Sequence, residues 1–228
     1  MCTGHPPGYL ERSISSRDRT LDAPLGCSAL EQAQRAYGVM AEQYIELISS
    51  TQVHPQDLAL IGRHLSIRPG AVLDVGCGPG QLTAHLRSLE VDATGLDLVP
   101  EFIDHARVTH PDGRYALGSM HQLPVRDGSV AGILAWYSLI HLPPDDLDGV
   151  LAELRRAMAP AGTLVVGFFD GDEVVAFEHK VVTAYYWPVD AFAERLRQAG
   201  FREIERRGRP GVAEPGHRPH AAIAAIAS

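Results

Sequence analysis

From Val72 to Gly80 the chain reads VLDVGCGPG, an apolar run that passes directly into three closely spaced glycines. The run AVLDV is apolar, largely β-branched and bounded by glycine, which predicts a buried strand over 71–75. Leucines then recur at helical spacing, so the glycines occupy the turn between a strand and a helix. Glycine allows a sharp turn and a close approach to a ligand, because no Cβ stands in the way. The stretch therefore predicts a ligand-binding turn in an α/β sheet, at a carboxyl end of a strand.

The sequence beyond this turn alternates between strand and helix patterns. Four more strands are predicted before the C-terminal region, over 92–98, 113–118, 129–137 and 163–169. Three more helices are predicted over 100–108, 147–158 and 189–199, and the second of these is expected to end at the proline and glycine of 160–162. Such alternation with short connections gives a parallel sheet that is covered by helices on both faces. Two further strands, FREIERR (201–207) and HAAIAAIA (220–227), are joined by a loop, which predicts an antiparallel edge hairpin.

The N-terminal part predicts an arm followed by two helices. Residues 1–27 have no sustained period, and we expect a flexible arm. Ser28 has the position of an N-cap, with Glu31 completing a capping box before one amphipathic helix that reaches Leu47. A second helix is predicted over 55–65, with proline at its start.

Composition excludes several classes of protein. The 228 residues are 45% hydrophobic and 21% charged, as in an ordinary globular protein, and the formal charge is −8. An acidic chain is poorly suited to gripping nucleic acid or an anionic membrane, so we expect neither as a partner. Three cysteines (Cys2, Cys27 and Cys77) exclude a framework of disulfides. No apolar run reaches the roughly 18–20 residues of a membrane span, and we expect a cytoplasmic location.

The spacing of the glycines bears on the ligand. Dinucleotide-binding turns follow G-x-G-x-x-G/A, whereas Gly76, Gly78 and Gly80 follow G-x-G-x-G and precede Gln81. Asp97 ends the second predicted strand about 20 residues past the turn, where an acid accepts hydrogen bonds from ribose hydroxyls. A carboxylate at this position favours a ligand with a free ribose diol.

Four ordered stretches together resemble the class I S-adenosylmethionine-dependent methyltransferases, in particular those that act on small molecules. The stretches are VLDVGCGPG, LDLVP, GSMHQLPVRDGSVAGILAWYSLIHL and LAELRRAMAPAGTLVV, and the likeness covers residues 37–208. The resemblance implies a Rossmann-like seven-stranded sheet of order 3-2-1-4-5-7-6, with strand 7 antiparallel and helices on both faces. It also implies S-adenosylmethionine as cofactor and S-adenosylhomocysteine as product.

The resemblance assigns cofactor-binding roles by position. Asp74 faces the amino-acid part of the cofactor and Asp97 the ribose diol, beside Leu98 at the adenine. The methionine and ribose are lined by Gly76, Cys77, Gly78 and Gly80. The adenine is flanked by Ser119 and Met120, and the sulfonium is approached by Ala135 and Trp136. The helix residues Tyr37 and Tyr44 close over the cofactor. Many relatives carry an acid near Ser119, so this chain departs from the pattern there. For the two tyrosines, ordinary helix packing is the alternative.

Methyl transfer from a sulfonium is a direct displacement, which relies on proximity and alignment. A general base is needed only when the acceptor must lose a proton. His141 and Tyr137, both just past the fourth strand, are the candidate bases. The alternatives are a backbone hydrogen bond for His141 and core packing for Tyr137. Neither His105 with His110 nor His217 with His220 has a metal-ligand pattern, so no metal site is predicted.

The predicted organisation is a single methyltransferase domain over 28–228 after the arm. It comprises N-terminal helices (28–66), a cofactor-binding core (70–170), a substrate-side insertion (171–188), and a final helix with a hairpin (189–228). Tyr185, Tyr186 and Trp187 in the insertion form a stacking wall for the acceptor or anchor the insertion to the sheet. The predicted function is methyl transfer to a small molecule by a monomer or homodimer. A non-catalytic cofactor-binding or regulatory domain and a nicotinamide-dependent oxidoreductase are the alternatives.

Overall fold

A computed structural model describes residues 29–67, 69–211 and 218–228. The predicted arm (1–27), the predicted N-cap Ser28, and His217 lie outside the described residues.

Helices and strands alternate along the described chain, as the sequence predicts. The helices are α1 (Ala29–Val39), α2 (Ala41–Ser50), α3 (Pro55–Leu65), α4 (Gln81–Ser88), α5 (Pro100–Thr109), α6 (Pro144–Ala157) and α7 (Val189–Gln198), with a 3-10 turn at Leu139–His141. The strands are β1 (Ala71–Val75), β2 (Asp92–Asp97), β3 (Tyr115–Leu117), β4 (Val130–Trp136), β5 (Met158–Asp170), β6 (Val175–Phe177), β7 (Ala184–Trp187), β8 (Phe201–Arg209) and β9 (His220–Ala227).

The strands form one sheet whose main order is β3-β2-β1-β4-β5-β9-β8. The first five strands pair in parallel, and β9 pairs antiparallel with both β5 and β8. Because β8 and β9 are the sixth and seventh predicted strands, the predicted fold class and order are confirmed. The chain order reverses between β1 and β4, so the carboxyl ends of these two strands border the crevice where such sheets bind ligands.

A hairpin of β6 and β7 was not predicted. Phe169 of β5 pairs with Tyr186 of β7 and also with His220 of β9. A strand residue has one neighbouring strand on each side, so β7 lies on the β4 side of β5. The last pair between β4 and β5 joins Trp136 to Gly167. The hairpin therefore extends the sheet just past the carboxyl end of β4.

The N-terminal helical region differs from the prediction of one helix through Leu47. The chain leaves the helix at Met40, whose φ of −105° and ψ of 13° separate α1 from α2. Gly38 and Val39 precede the break, and both residue types are weaker helix formers than alanine or leucine. The 3.6-residue pattern continues across the break, which is why periodicity alone did not reveal it.

The passage from α6 into β5 also begins earlier than predicted. The helix ends at Ala157 and Met158 already pairs with Val130, followed by an irregular register before Gly132. Ala161 has a positive φ of 57° in this stretch. Proline and glycine at 160–162 thus lie in the irregular start of a strand and not at the helix end.

Both faces of the sheet are covered by helices. On one face Ile133 and Val166 belong to a cluster with Leu151 of α6 and other residues of α6 and α7. On the other face Leu134 and Val165 belong to a cluster with residues of α3 and α4, namely Leu60, Ile61, Leu65 and Leu86. In the described part of the chain, no helix has both the length and the apolar character needed to cross a bilayer.

The central strand β4 offers a test of this core. Leu134 has no exposed surface, whereas Val108 is 82% exposed on α5. We expect Leu134→Ala to lower the free energy of unfolding by about 2–5 kcal/mol, because it leaves a cavity. Val108→Ala should change it by no more than about 0.5 kcal/mol. Urea denaturation measures both, and equal losses for the two variants would contradict the placement of Leu134 in the core.

Candidate functional site

The glycine turn after β1 is fixed by the end of β2. The backbone amides of Gly76 and Cys77 both donate to the carbonyl of Leu96, at 2.7 and 3.1 Å. Gly76 and Gly78 have positive φ values of 71° and 52°, which glycine adopts without strain. A Cβ on Gly76 would lie 2.3 Å from the Cβ of Ser138, so the chain after β4 packs directly on this glycine. A Cβ on Gly78 would meet no atom of the described residues within 4 Å, so this glycine borders open space.

Asp97 stands at the end of β2 against the same turn. Its Oδ2 accepts a hydrogen bond from the amide of Gly78 at 2.8 Å, and its Oδ1 accepts from the amide of Val99 at 2.9 Å. The side chain is buried, and this burial raises the pKa of the carboxyl although the backbone amides oppose the rise. Each carboxylate oxygen accepts more than one hydrogen bond, so Asp97 retains acceptor capacity for ligand hydroxyls.

A cavity opens beside this turn, at the carboxyl ends of the central strands and beneath α1 and α2. Its empty volume is about 720 Å³ when the open solvent at its mouth is included. The predicted site residues that line it are Gly76, Gly78, Asp97, Leu98, Met120, Trp136, Tyr137, His141, Tyr37 and Tyr44. Among the described residues of the lining, Asp97 is the only acid and His141 the only basic side chain.

Five predicted site residues do not line the cavity. Asp74 is 1% exposed and accepts a hydrogen bond from the hydroxyl of Thr83 at 2.6 Å, and burial raises its pKa to about 7. Cys77 is buried, and this burial raises the pKa of its thiol. The Ser119 hydroxyl accepts from the amide of His121 at 3.2 Å. The other two are Gly80, the N-cap of α4, and Ala135, which has no exposed surface.

Several lining residues were not predicted. Gln34 of α1 donates from Nε2 to the carbonyl of Leu98 at 2.8 Å, which ties the helix to the rim of the cavity. Gln34 lies three residues before Tyr37, so helical spacing could have placed both on one face. Phe102 and Ser138 also line the cavity. The Ser138 hydroxyl is buried and has no hydrogen-bond partner among the described residues, a property that only the packed structure reveals.

His141 links three distant segments of the chain. Its Nδ1 lies 2.8 Å from the carbonyl of Thr183, and its Nε2 lies 2.9 Å from the hydroxyl of Tyr37. A carbonyl only accepts, so Nδ1 carries the hydrogen and Nε2 of the neutral ring accepts from Tyr37. Burial lowers the pKa of His141, which favours this neutral form. The alternative of a backbone hydrogen bond is realised at Thr183, before β7, rather than at the next helix.

Tyr137 is held rigidly beside the cavity. Its φ is 54°, an unusual conformation for a residue with a side chain. Its hydroxyl is hydrogen-bonded to Nδ1 of His220, and its ring centroid lies 5.0 Å from that of Phe169. Burial raises the pKa of Tyr137 above its ordinary value. The phenol thus remains protonated at neutral pH and is a weak candidate for a base.

Comparisons with known proteins agree with this geometry. A family model described as a methyltransferase domain matches residues 72–162. Malonyl-acyl-carrier-protein O-methyltransferase of Erwinia billingiae is 30% identical over 175 residues, which cover 76% of this chain and 66% of that protein. The 1,6-didemethyltoxoflavin-N1-methyltransferase of Burkholderia thailandensis superimposes with a TM-score of 0.75 at 21% identity, over 91% of this chain and 93% of the other.

The chain belongs to the class I S-adenosylmethionine-dependent methyltransferases. The predicted family is thereby confirmed. The chain spans between about half and two thirds of the length of the first curated relatives it matches. The cyclase SpnF has the same fold, with a TM-score of 0.73 at 15% identity over 88% of this chain and 97% of the other, so the fold is also found with a different chemistry.

The residues that line the cavity fit S-adenosylmethionine, the cofactor of this family. Gly78 leaves space where a side chain would project, and Asp97 retains acceptor capacity for a ribose diol. The unpartnered Ser138 hydroxyl can donate to a carboxylate. Among the described residues, no three His, Cys, Asp or Glu side chains come together as metal ligands would.

The contact between Gly76 and Ser138 provides a test of the turn. Gly76→Ala should destabilise the folded chain in two ways. An alanine in the left-handed backbone conformation costs about 1–2 kcal/mol, and its Cβ would clash with Ser138. Gly128→Ala is the matched control, since its φ is also positive (62°) and its nearest atom would be 3.9 Å away. We expect Gly76→Ala to lose more unfolding free energy in urea denaturation and also to lose cofactor affinity in calorimetry. Equal losses of unfolding free energy would contradict the tight packing at Gly76.

Proposed function

We propose that the chain binds S-adenosylmethionine in the cavity beside the glycine turn and transfers its methyl group to a small-molecule acceptor. The observation that carries this proposal is Asp97, which two backbone amides orient at the edge of an open glycine turn. The placement of the acid at the end of β2, next to the crevice between β1 and β4, suits a ribose with both hydroxyls free.

The other lining residues suit the remaining parts of the cofactor. Leu98, Phe102 and Met120 supply an apolar surface for the adenine, and the Ser138 hydroxyl a donor for the methionine carboxylate. The described residues that line the cavity include no lysine or arginine, so the lining does not repel the sulfonium. When bound, the cofactor supplies an electrophilic methyl group.

The chain's own contribution is to orient the reactants and to exclude water. Tyr37 and Tyr44 pack edge to face with centroids 5.0 Å apart, and Tyr44 lies against Phe102 at 5.2 Å. Trp136 and Tyr137 form another wall of the cavity. Holding two reactants in alignment can lower the barrier by about 7–11 kcal/mol, which makes a covalent nucleophile unnecessary.

His141 is the group we propose to take up a proton when the acceptor is a hydroxyl or a phenol. Its Nδ1 hydrogen is fixed on Thr183, so the lone pair of Nε2 faces Tyr37. A proton from the acceptor can reach Nε2 through the Tyr37 hydroxyl, which passes its own proton to the imidazole as it receives one. The lowered pKa of His141 keeps the ring neutral and able to accept at neutral pH.

Asp97 gives the first test of the proposed function. Isothermal titration should show binding of S-adenosylmethionine and S-adenosylhomocysteine, and Asp97→Asn should weaken both about 10-fold or more, because hydrogen bonds to a charged group are lost. Asp92→Asn is the matched control, since Asp92 lies at the other end of β2 and pairs with Arg114 at the surface. Binding of NAD without S-adenosylmethionine would favour an oxidoreductase and overturn the proposal. Binding of the cofactor without transfer of labelled methyl to any of a broad set of small molecules would favour the non-catalytic alternative.

His141 gives the second test, with an acceptor found in that transfer assay. His141→Ala should lower kcat about 10²–10⁴-fold for a hydroxyl or phenol acceptor, because a positioned base is lost. In the unmodified chain kcat should fall on acidification only below the ordinary histidine pKa of 6.5, since the pKa of His141 is lowered. His105→Ala, on α5 at a half-buried position that does not line the cavity, should leave kcat unchanged. Unchanged turnover of His141→Ala across the pH range would rule out the proposed base.

A further inference from the structure

A second cavity lies at the same edge of the sheet as the cavity beside the glycine turn. Its lining includes Asp57 of α3, Tyr137 after β4, Arg209 of β8 and Ala222 of β9. Its empty volume is about 200 Å³ when the open solvent at its mouth is included. This is less than the roughly 300 Å³ at which pockets for whole small molecules begin. The second cavity therefore has room for one small group of a larger ligand.

The two cavities share part of their walls. Trp136 and Tyr137 line both of them. The indole of Trp136 lies on Gly167 of β5, where a Cβ would be 2.8 Å from its Cε3. The hydroxyl of Tyr137 is held by Nδ1 of His220 at the start of β9. A ligand that lies against these two fixed side chains in the first cavity thus has the second cavity within reach.

Arg209 brings an unused hydrogen-bond donor to the second cavity. Its Nη2 lies 2.8 Å from a carboxylate oxygen of Asp57. Its Nη1 is buried and has no hydrogen-bond partner within 29–67, 69–211 and 218–228. A buried donor on a charged group is costly to leave without an acceptor. An oxygen atom of a ligand in the second cavity would supply the missing acceptor.

The charged groups between α3 and β8 leave a positive charge over. Three arginines, one histidine and two acids form the ion pairs there, namely Arg63, Arg207, Arg209, His64, Asp57 and Glu205. The two carboxylates balance two of the three guanidinium groups, and a histidine adds no negative charge. This seam of the described structure is therefore positive, although the whole chain has a formal charge of −8. A negatively charged group suits the second cavity better than a neutral one.

Both members of the Asp57–Arg209 pair act on the shared wall. Burial raises the pKa of the Tyr137 phenol, the Asp57 charge adds to the rise, and the Arg209 charge opposes it. The guanidinium therefore lies close enough to Tyr137 for one ligand to contact both.

We propose that the second cavity is a subsite for a carboxylate of the methyl acceptor, with Arg209 as its anchor. Nη1 of Arg209 donates to one oxygen of that carboxylate, and no covalent bond is made or broken. The carboxylate serves recognition and is not the methylated group, since the cofactor lies in the first cavity. This inference rests on the proposed function, and it narrows the acceptor to small molecules that carry an acid group.

Asp57 gives the proposal a distinctive signature. Its carboxylate lies beside the same guanidinium and repels an incoming anion. Loss of the Asp57 charge should therefore strengthen carboxylate binding, whereas loss of the Arg209 charge should weaken it. If the ion pair were merely structural, the two changes would act in the same direction, because each of them breaks the pair.

The test is an NMR titration of the full chain, saturated with S-adenosylhomocysteine, with benzoate, phenylacetate and 3-phenylpropanoate. The amides of the same three acids are the neutral controls. The chain has two tryptophans, and Trp187→Phe assigns their indole N–H signals. The signal of Trp136 should shift until the site is saturated, while that of Trp187, in the core on the other face of the sheet, should not. The tightest carboxylate should bind about 5-fold or more better than its amide, since hydrogen bonds between charged groups are the stronger ones.

Substitutions in the ion pair decide whether Arg209 is the anchor. Arg209→Gln should weaken carboxylate binding about 10-fold or more. Asp57→Asn should strengthen it about 2- to 5-fold, as expected for removal of one partly exposed charge. Arg206→Gln is the matched control, since Arg206 lies on the same strand, pairs with Glu203 and does not line the second cavity. Circular dichroism establishes that each variant is folded, and Asp57→Asn keeps the test decisive should Arg209→Gln unfold.

The acceptor itself gives an independent readout. Small molecules that the chain methylates should carry a carboxylate apart from the methylated atom. For such an acceptor Arg209→Gln should raise KM about 10-fold with little change in kcat, because a recognition contact is lost and the reacting atoms are untouched. Methylation only of molecules without an acid group would overturn the subsite.

The outcomes separate this inference from the proposed function. If S-adenosylhomocysteine binds but the carboxylates bind no better than their amides, the subsite is wrong and the proposed function stands. The subsite is equally wrong if Asp57→Asn does not strengthen the binding, or if it acts in the same direction as Arg209→Gln. If neither form of the cofactor binds, the proposed function fails. The titration without cofactor then decides by the same variants whether the second cavity binds carboxylates.

Discussion

The hydrogen bonds between the glycine turn and the end of β2 hold the site together. The carbonyl of Leu96 accepts from Gly76 and Cys77, and the carboxylate of Asp97 accepts from Gly78. These bonds fix the left-handed backbone of the turn and orient the acid in one step. The chain after β4 can then pack on Gly76 through Ser138, since no Cβ intervenes. One small network of hydrogen bonds thus positions both the glycine turn beside the cavity and the Asp97 carboxylate that accepts hydrogen bonds there.

A second network closes the cavity from above. The hydroxyl of Tyr37 on α1, the imidazole of His141 after β4 and the carbonyl of Thr183 before β7 form a continuous chain of hydrogen bonds. Gln34 adds a bond from α1 to the carbonyl of Leu98. Segments from three regions of the sequence therefore meet at one histidine, which explains why its protonation state depends on elements that lie far from it along the chain.

Much of the fold could be predicted because parallel α/β sheets leave strong local signals. Buried parallel strands such as β1 and β4 are nearly continuous apolar runs, and helices such as α6 show a clear apolar face. The hairpin of β6 and β7 was missed because the two strands have only three and four residues, too few to show a period, although all of these residues are apolar or aromatic. The break at Met40 was missed because an apolar pattern can continue through a single non-helical residue.

The linear sequence was sufficient for the alternation of strands and helices, the glycine turn and the acid at the end of β2, since each depends on contacts between near neighbours or on backbone conformations open to glycine. The order of the strands in the sheet depends on pairing between distant segments, and it came from the resemblance to a family. It could not say which side chains reach the cavity. Asp74 and Ser119 stand at positions that the resemblance assigns to the cofactor, yet they are hydrogen-bonded to Thr83 and to a backbone amide. Gln34 and Ser138 line the cavity although no motif marks them. Exposure, hydrogen-bond partners and the pKa of a buried acid arise from the packing of segments far apart in the chain, and they exist only once the whole domain has folded.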